Sequence, residues 1–181
     1  MDSRELGIDL REVTEEVLFT RDPITKVDRK VIEFLKAKAF ENRRKRIRLC
    51  THVSVNDSVH EMLIVHSKGS YVRPHKHLKK SESFHVIEGK LKVIIFDESG
   101  NIIEVISMGD YSSGDAFFYR IQESRFHTVI PISGFVVFHE TTKGPFLRKD
   151  TLFAQWAPEE DDNDAQKIYM NNLTIQLGLD L

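Results

Sequence analysis

The 181-residue chain has a single cysteine, Cys50, so it can form no internal disulfide. That usage fits a reducing compartment. Long apolar runs are missing as well, since none approaches the roughly 18 residues that a membrane-spanning helix needs. The first ten residues, MDSRELGIDL, lack the basic and apolar regions of an export signal. A soluble, cytoplasmic protein is the expectation. Charge of one sign is also absent: 26 Lys and Arg face 28 Asp and Glu, for a net charge of −2. No global field therefore draws in nucleic acid or an anionic membrane. Residues 1–50 hold at most one helix, whereas a helix-turn-helix needs two. There is no internal repeat and no long linker. What remains is one domain of ordinary size with a substantial core, expected to meet a small molecule.

Residues 11–20 alternate in part and suit an edge strand or one exchanged in a dimer. Residues 26–41 place Val27, Val31, Phe34 and Leu35 at helical spacing with charges largely opposite, which predicts an amphipathic helix. From about residue 47 to 142, short apolar segments are punctuated by Gly, Asp, Asn and Ser. They fall at 47–54, 60–66, 71–77, 82–88, 90–97, 102–107, 116–121, 126–132 and 134–141, the spacing of an all-β sandwich or barrel. Asp97–Gly100 and Ser133-Gly134 read as hairpin turns, and after Gly144-Pro145 the chain should leave the barrel. The acidic stretch 159–164 reads as solvated, and 167–177 as a last helix or strand.

The most informative segment is residues 69–89. His75 and His77 project from one face of a strand, because side chains alternate with period two. Glu82 follows after enough chain for a tight turn into a neighbouring strand, and Gly69 and Gly89 bracket the unit. Imidazole with carboxylate suits a divalent transition metal better than calcium or magnesium. By the same parity Arg73 and Tyr71 should share the cavity, Arg73 offering a fork for phosphate or carboxylate. Glu61, Tyr119, Arg120 and Glu140 lie on segments that could line a barrel, and a buried acid among them could act as a general base. The candidates for chemistry are Arg73, Tyr119 and Glu140. His85 has the opposite parity to Glu82 and should face away, while His60 and His66 share a face with Met62 and Ile64. The cluster Arg43-Arg44-Lys45-Arg46 with Arg48 reads as a solvated helix end and a charged edge strand, or as a contact for a nucleotide diphosphate. Phe84, Phe96, Phe117, Phe118, Phe135 and Phe138 are core candidates.

The spacing G-x5-H-x-H-x4-E-x6-G resembles the first motif of the cupin superfamily at every position. That resemblance implies a fourth metal ligand on a second motif, where His127 fits, although Gln122 and Ser124 replace the usual Pro and Gly and Pro131 replaces an Asn. Tyr71–His77, Phe96–Gly100, Phe126–Thr128, His139–Phe146 and Phe153–Pro158 are similar to the WbuC family of cupin-fold metalloproteins, over roughly residues 43–160. The implied fold is a double-stranded β-helix jelly roll (47–146), with an N-terminal strand and helix extension (1–46) and a short C-terminal extension (147–181). A homodimer is expected. The implied cofactor is one divalent transition metal, iron, manganese, nickel or zinc, held by His75, His77, Glu82 and His127. Three neutral imidazoles and a carboxylate would leave it a charge of about +1 and, if it is octahedral, two open positions. Members of that family occur in gene clusters for bacterial surface polysaccharides, which implies a sugar or nucleotide-sugar substrate, anionic at Arg73. An iron-dependent dioxygenase and a non-catalytic small-molecule-binding protein are the rival expectations.

Overall fold

The computed structural model describes residues 6–179. A hairpin of β1 (Leu10–Thr14) and β2 (Val17–Thr20) precedes α1 (Arg29–Glu41). Then come β3 (Arg46–Cys50), β4 (Val59–Ser67), β5 (His75–His77), β6 (Glu82–Glu88), β7 (Lys90–Phe96) and β8 (Ile102–Gly109). β9 (Phe118–Ile121), β10 (Phe126–Pro131), β11 (Phe135–Lys143), β12 (Thr151–Phe153) and α2 (Asn163–Gln176) follow. The strands form two sheets, ordered β1-β2-β3-β4-β11-β6-β9 and β12-β5-β10-β7-β8. β2 runs parallel to β3, and the other strand pairs are antiparallel. This is an all-β, double-stranded β-helix.

Period-two alternation sorts side chains into an inner and an outer core on each sheet. Facing inward, Met62 and Ile64 of β4, Phe84 and Val86 of β6, Val93 and Ile95 of β7, Val129 of β10 and Phe138 of β11 fill the space between the sheets. On the outside of the larger sheet, Ile47, Leu49, Val65 and Val137 meet Val31, Leu35 and Ala39 of α1. Burying each of the larger of these side chains contributes about 1.5–3 kcal/mol. The helix starts where the Asp28 side chain accepts from the Val31 amide at 3.1 Å, a cap that satisfies one of the free N–H groups of its first turn. Outside the smaller sheet, Ile94, Phe96, Phe126 and Ile130 pack on Ala154, Ala157 and Leu173 of α2.

Glycine is required at both ends of the segment that carries the first three candidate ligands. Gly69 and Gly89 have φ of 85° and 82°, a region L side chains rarely adopt. At Gly89, where the chain crosses from β6 in one sheet to β7 in the other, an added Cβ would also lie 2.3 Å from the Phe135 carbonyl oxygen.

Several expectations change. The segment 71–77 is a strand only over His75–His77, because Pro74 has no N–H for a ladder. β5 and β6 do not pair with each other: they lie in opposite sheets, so Glu82 faces the histidines across the interior. β3 is not an edge strand but sits between β2 and β4, which turns Arg46 and Arg48 toward the cavity instead of solvent. The chain does not leave the barrel after Pro145 for good, since β12 returns to pair with β5, Thr151 opposite His77 and Phe153 opposite His75. The N-terminal residues are likewise continuous with the barrel through β2. Phe84, Phe96 and Phe138 are buried, Phe135 is half-buried, and Phe117 and Phe118 are exposed.

Candidate metal centre and its cavity

Four side chains converge at one wall of the space between the sheets. His75 and His77 come from β5, His127 from β10 directly opposite His75, and Glu82 from the first position of β6. One ligand atom from each lies within 4.8 Å of all the others. His77 Nε2 is 3.0 Å from Glu82 Oε2, and His127 Nε2 is 3.3 Å from Glu82 Oε1.

The far nitrogen of each ring is already engaged. His75 Nδ1–H donates to the Arg73 carbonyl and His127 Nδ1–H to the Arg125 carbonyl, both at 3.0 Å. His77 Nδ1 is 3.1 Å from the Thr151 hydroxyl. Such contacts fix ring orientation and raise the basicity of the nitrogen facing the ligand. All three Nε2 atoms therefore point to one place. There, His127 Nε2 and Glu82 Oε1 are buried with no aligned hydrogen-bond partner. A buried polar atom left unsatisfied costs free energy, and a cation between these donors removes that cost. The donor set of three imidazoles and a carboxylate matches iron, manganese, nickel or zinc.

The electrostatics agree. Burial, with His127 next, depresses His75 to about 3, and burial also lowers His77, so both are neutral and available as donors. Burial opposes ionisation of Glu82, but the adjoining His127 and His77 rings outweigh it and hold the carboxyl well below its usual range. Burial likewise opposes charge on His127, and Glu82 overcomes it and raises that imidazole.

The four side chains open onto a cavity of about 480 Å³. Its walls are largely apolar and include Val17, Phe19, Met62, Ile64, Phe84 and Phe138. Cross-strand register orders the floor in rows. Cys50, Met62, Glu140, Phe84 and Tyr119 form one, and on either side lie His60–Thr142–Glu82–Ile121 and Arg48–Ile64–Phe138–Val86.

Of the residues read as candidates for chemistry, Glu140 lines this cavity one row from Glu82. Burial first, and Glu82 second, push its carboxyl up to about 8. Arg73 also lines the cavity, but its guanidinium is bound to Glu159 and donates to the Ala154 carbonyl at 2.9 Å. Its fork is already occupied. Tyr119 packs against Phe84 with ring centroids 5.6 Å apart and is not among the cavity-lining residues. Tyr71 donates its hydroxyl to the Pro158 carbonyl at 2.8 Å and lies outside the cavity too. Glu61, Arg120 and His85 are exposed, whereas His60 and His66 face the cavity. Arg44 and Arg46 line the cavity within an ion-pair network with Glu16 and Glu160. Burial pushes the Cys50 thiol up to about 11, which makes it unreactive. Sequence reasoning missed Thr151, and it named Arg48 only within a basic cluster read first as solvated. Thr151 had no local signal, and Arg48 needed only the correct neighbours for β3.

A family model described as a domain of unknown function, DUF6016, matches residues 27–108, under half of the chain. That range holds His75, His77 and Glu82 but not His127. Among solved structures, the chain is similar to protein SO0799 from Shewanella oneidensis, at 11% identity and a TM-score of 0.53, over 71% of this chain and 85% of that one. It is also similar to an oxalate oxidase solved with the substrate analogue glycolate, at 14% identity and a TM-score of 0.49, over 77% and 69%. A cupin-superfamily sugar phosphate isomerase from Silicibacter pomeroyi aligns at 16% identity and a TM-score of 0.39, over 49% and 52%. No curated protein sequence matches the chain. Among the described residues, no helix is long and apolar enough to cross a membrane. The fold is a double-stranded β-helix like that of the Shewanella protein, with a cluster able to hold a metal on the cavity wall.

Proposed function

We propose that the protein is a metal-dependent enzyme acting on a small molecule within the barrel cavity. The observation that supports this most is the convergence of His75, His77, Glu82 and His127, with two of their atoms buried and unsatisfied, at the wall of the barrel cavity. A divalent transition metal held there supplies Lewis acidity, polarising a carbonyl or hydroxyl. The protein's own contribution is positional. Arg73 O, Arg125 O and Thr151 Oγ1 orient the three rings. The apolar walls keep bulk water from the reacting group. Glu140, pushed up to about 8, holds a proton at neutral pH and is placed to exchange it with a bound molecule.

The resemblance to WbuC proteins makes the substrate a sugar or nucleotide sugar of surface-polysaccharide metabolism. The apolar lining favours a second reading, an iron-dependent dioxygenase of a small molecule with an apolar body. Oxygen uptake by the ferrous protein separates the two. The enzyme reading is tested by incubating metal-loaded protein with nucleotide sugars, sugar phosphates and small organic acids, with mass spectrometry as readout. Turnover of one class is expected, and Glu140→Gln should lower it by about 100- to 10,000-fold with metal content unchanged. If no compound is consumed under air or nitrogen, a binding protein replaces the enzyme.

A further inference from the structure

The cavity has a second end that the metal cluster does not explain. Six basic side chains line it: Arg44, Arg46, Arg48, Arg73, Lys80 and Arg148. Three are neutralised, Arg44 and Arg46 by Glu16 and Glu160, and Arg73 by Glu159. Arg148 is exposed at the rim. Lys80 belongs to the metal side, three residues beyond His77, with its ammonium 5.8 Å from the Phe146 ring centroid. Arg48 differs from the three paired arginines, and it stands away from the metal side where Lys80 lies. It is half-buried on a central strand, its register neighbours are Val17 and Ile64, and its side chain makes no hydrogen bond or ion pair among the described residues, although its backbone N–H donates to the Glu16 carbonyl at 2.9 Å. Its guanidinium lies in the field of Glu140 and Glu16 without pairing to either, so its donors are free for an incoming anion. Its nearest acidic neighbour in the floor, Glu140, makes no ion pair with it.

Register fixes where this cation stands relative to the ligand cluster. Arg48 is in the row of Ile64 and Phe138, Glu140 in the next, and Glu82 in the row beyond. Two residues of strand advance roughly 6.6 Å, so the outer rows are roughly 13 Å apart along the strand direction, less the reach of the two side chains. Ile64 and Phe138 flank Arg48 in its own row, and the row between holds Met62, Glu140 and Phe84. The result is a slot with an unpaired guanidinium at one end, Glu140 among largely apolar sides, and the metal cluster with Lys80 at the other end.

We propose that Arg48 is an anion anchor for a monocarboxylic acid whose apolar body lies along Met62, Ile64, Phe84 and Phe138. The placement of the far end of that acid at the metal rests on the function proposed above, whereas the anchor itself does not. One unpaired guanidinium matches one carboxylate, which it can bind through two parallel N–H donors. A phosphate would need further donors, and Arg44 and Arg46 are already committed to carboxylates. A free sugar would leave most of its hydroxyls against Met62, Ile64 and the phenylalanines.

The test uses hexanoate and phenylpropionate, their matched alcohols and phenyl phosphate, titrated by calorimetry into metal-loaded wild type, Arg48→Met and Arg48→Lys. Both acids should bind the wild type, about 10- to 100-fold more weakly to Arg48→Met, with Arg48→Lys between them. Binding of the alcohols should not change between variants. Circular dichroism confirms folding, which Arg48→Met should retain because no intramolecular bond is lost. The anchor is overturned if neither acid binds the wild type, if both bind Arg48→Met equally well, or if phenyl phosphate binds more tightly than phenylpropionate. The same titration into His75→Ala/His77→Ala separates the two claims: Arg48-dependent binding that survives there, with affinity unchanged, keeps the anchor and removes the metal end.

Discussion

Replacing His75 and His77 together by alanine is expected to abolish metal retention while the β-fold survives. The two rings supply half of the ligand set, and both come from the three-residue strand β5. Loss of a group that merely orients a ligand costs about 10- to 100-fold in metal affinity, so loss of two ligands themselves should remove stoichiometric binding at micromolar metal. The fold should persist because the main cores do not include these residues. One local cost is expected. Glu82 loses the His77 contact at 3.0 Å and keeps only His127 as a partner, so its buried carboxyl should protonate more readily. Elemental analysis and a far-ultraviolet dichroism spectrum of the double variant check both halves. A full equivalent of metal in the variant would place the site elsewhere.

Acid should destabilise the protein progressively below about pH 6.5, and His66→Gln should remove much of that effect. His66 is buried on β4, edge-on to Phe138 at 5.5 Å, and burial, with Arg48 and Arg44 next, lowers it to about 3. The folded state thus holds the neutral ring, while the unfolded chain takes up a proton near pH 6.5. More protons bound in the unfolded state means that stability falls as pH falls. The contribution is complete above about 6.5, declines through the interval and levels off near 3. At about 1.4 kcal/mol per pKa unit, the loss at the lower end is on the order of 4 kcal/mol. His75 and His77 are depressed in the same direction and add to the slope in metal-free protein. Urea unfolding of metal-free wild type and His66→Gln, from pH 7.5 to 4, measures the difference. Parallel curves would show that His66 is not a source of the acid sensitivity.

What the sequence made legible was set by local periodicity. Alternation along β4, β5 and β6 put His60 and His66 on the face of Met62 and Ile64, His75 and His77 together on one face, and His85 on the face opposite Glu82, because one residue of slip would reverse every face. The helical stripe of Val31 and Leu35 marked α1 within three residues of its bounds. His127 was reached through resemblance rather than periodicity. What stayed hidden were partners distant in sequence. Arg73 looked like an open fork because Glu159, 86 residues away, leaves no mark near it. Thr151 looked like part of an appended tail, although it reaches His77 across 74 residues. Arg48 was read as solvated because β3 was taken for an edge, while the parallel pairing with β2 puts it inside. Faces are a local property of a strand, but neighbours are decided by the whole chain.

The central claim is one metal ion held by four side chains, three of which lie within the family-model match and one outside it. Metal content of the purified wild type, measured beside His127→Ala after identical reconstitution, tests it most directly. About one divalent transition metal per chain is expected in the wild type, with sharply weaker retention in the variant. Equal metal in both would remove His127 from the site, and a wild type that takes up no metal even when reconstituted would contradict the metal centre itself.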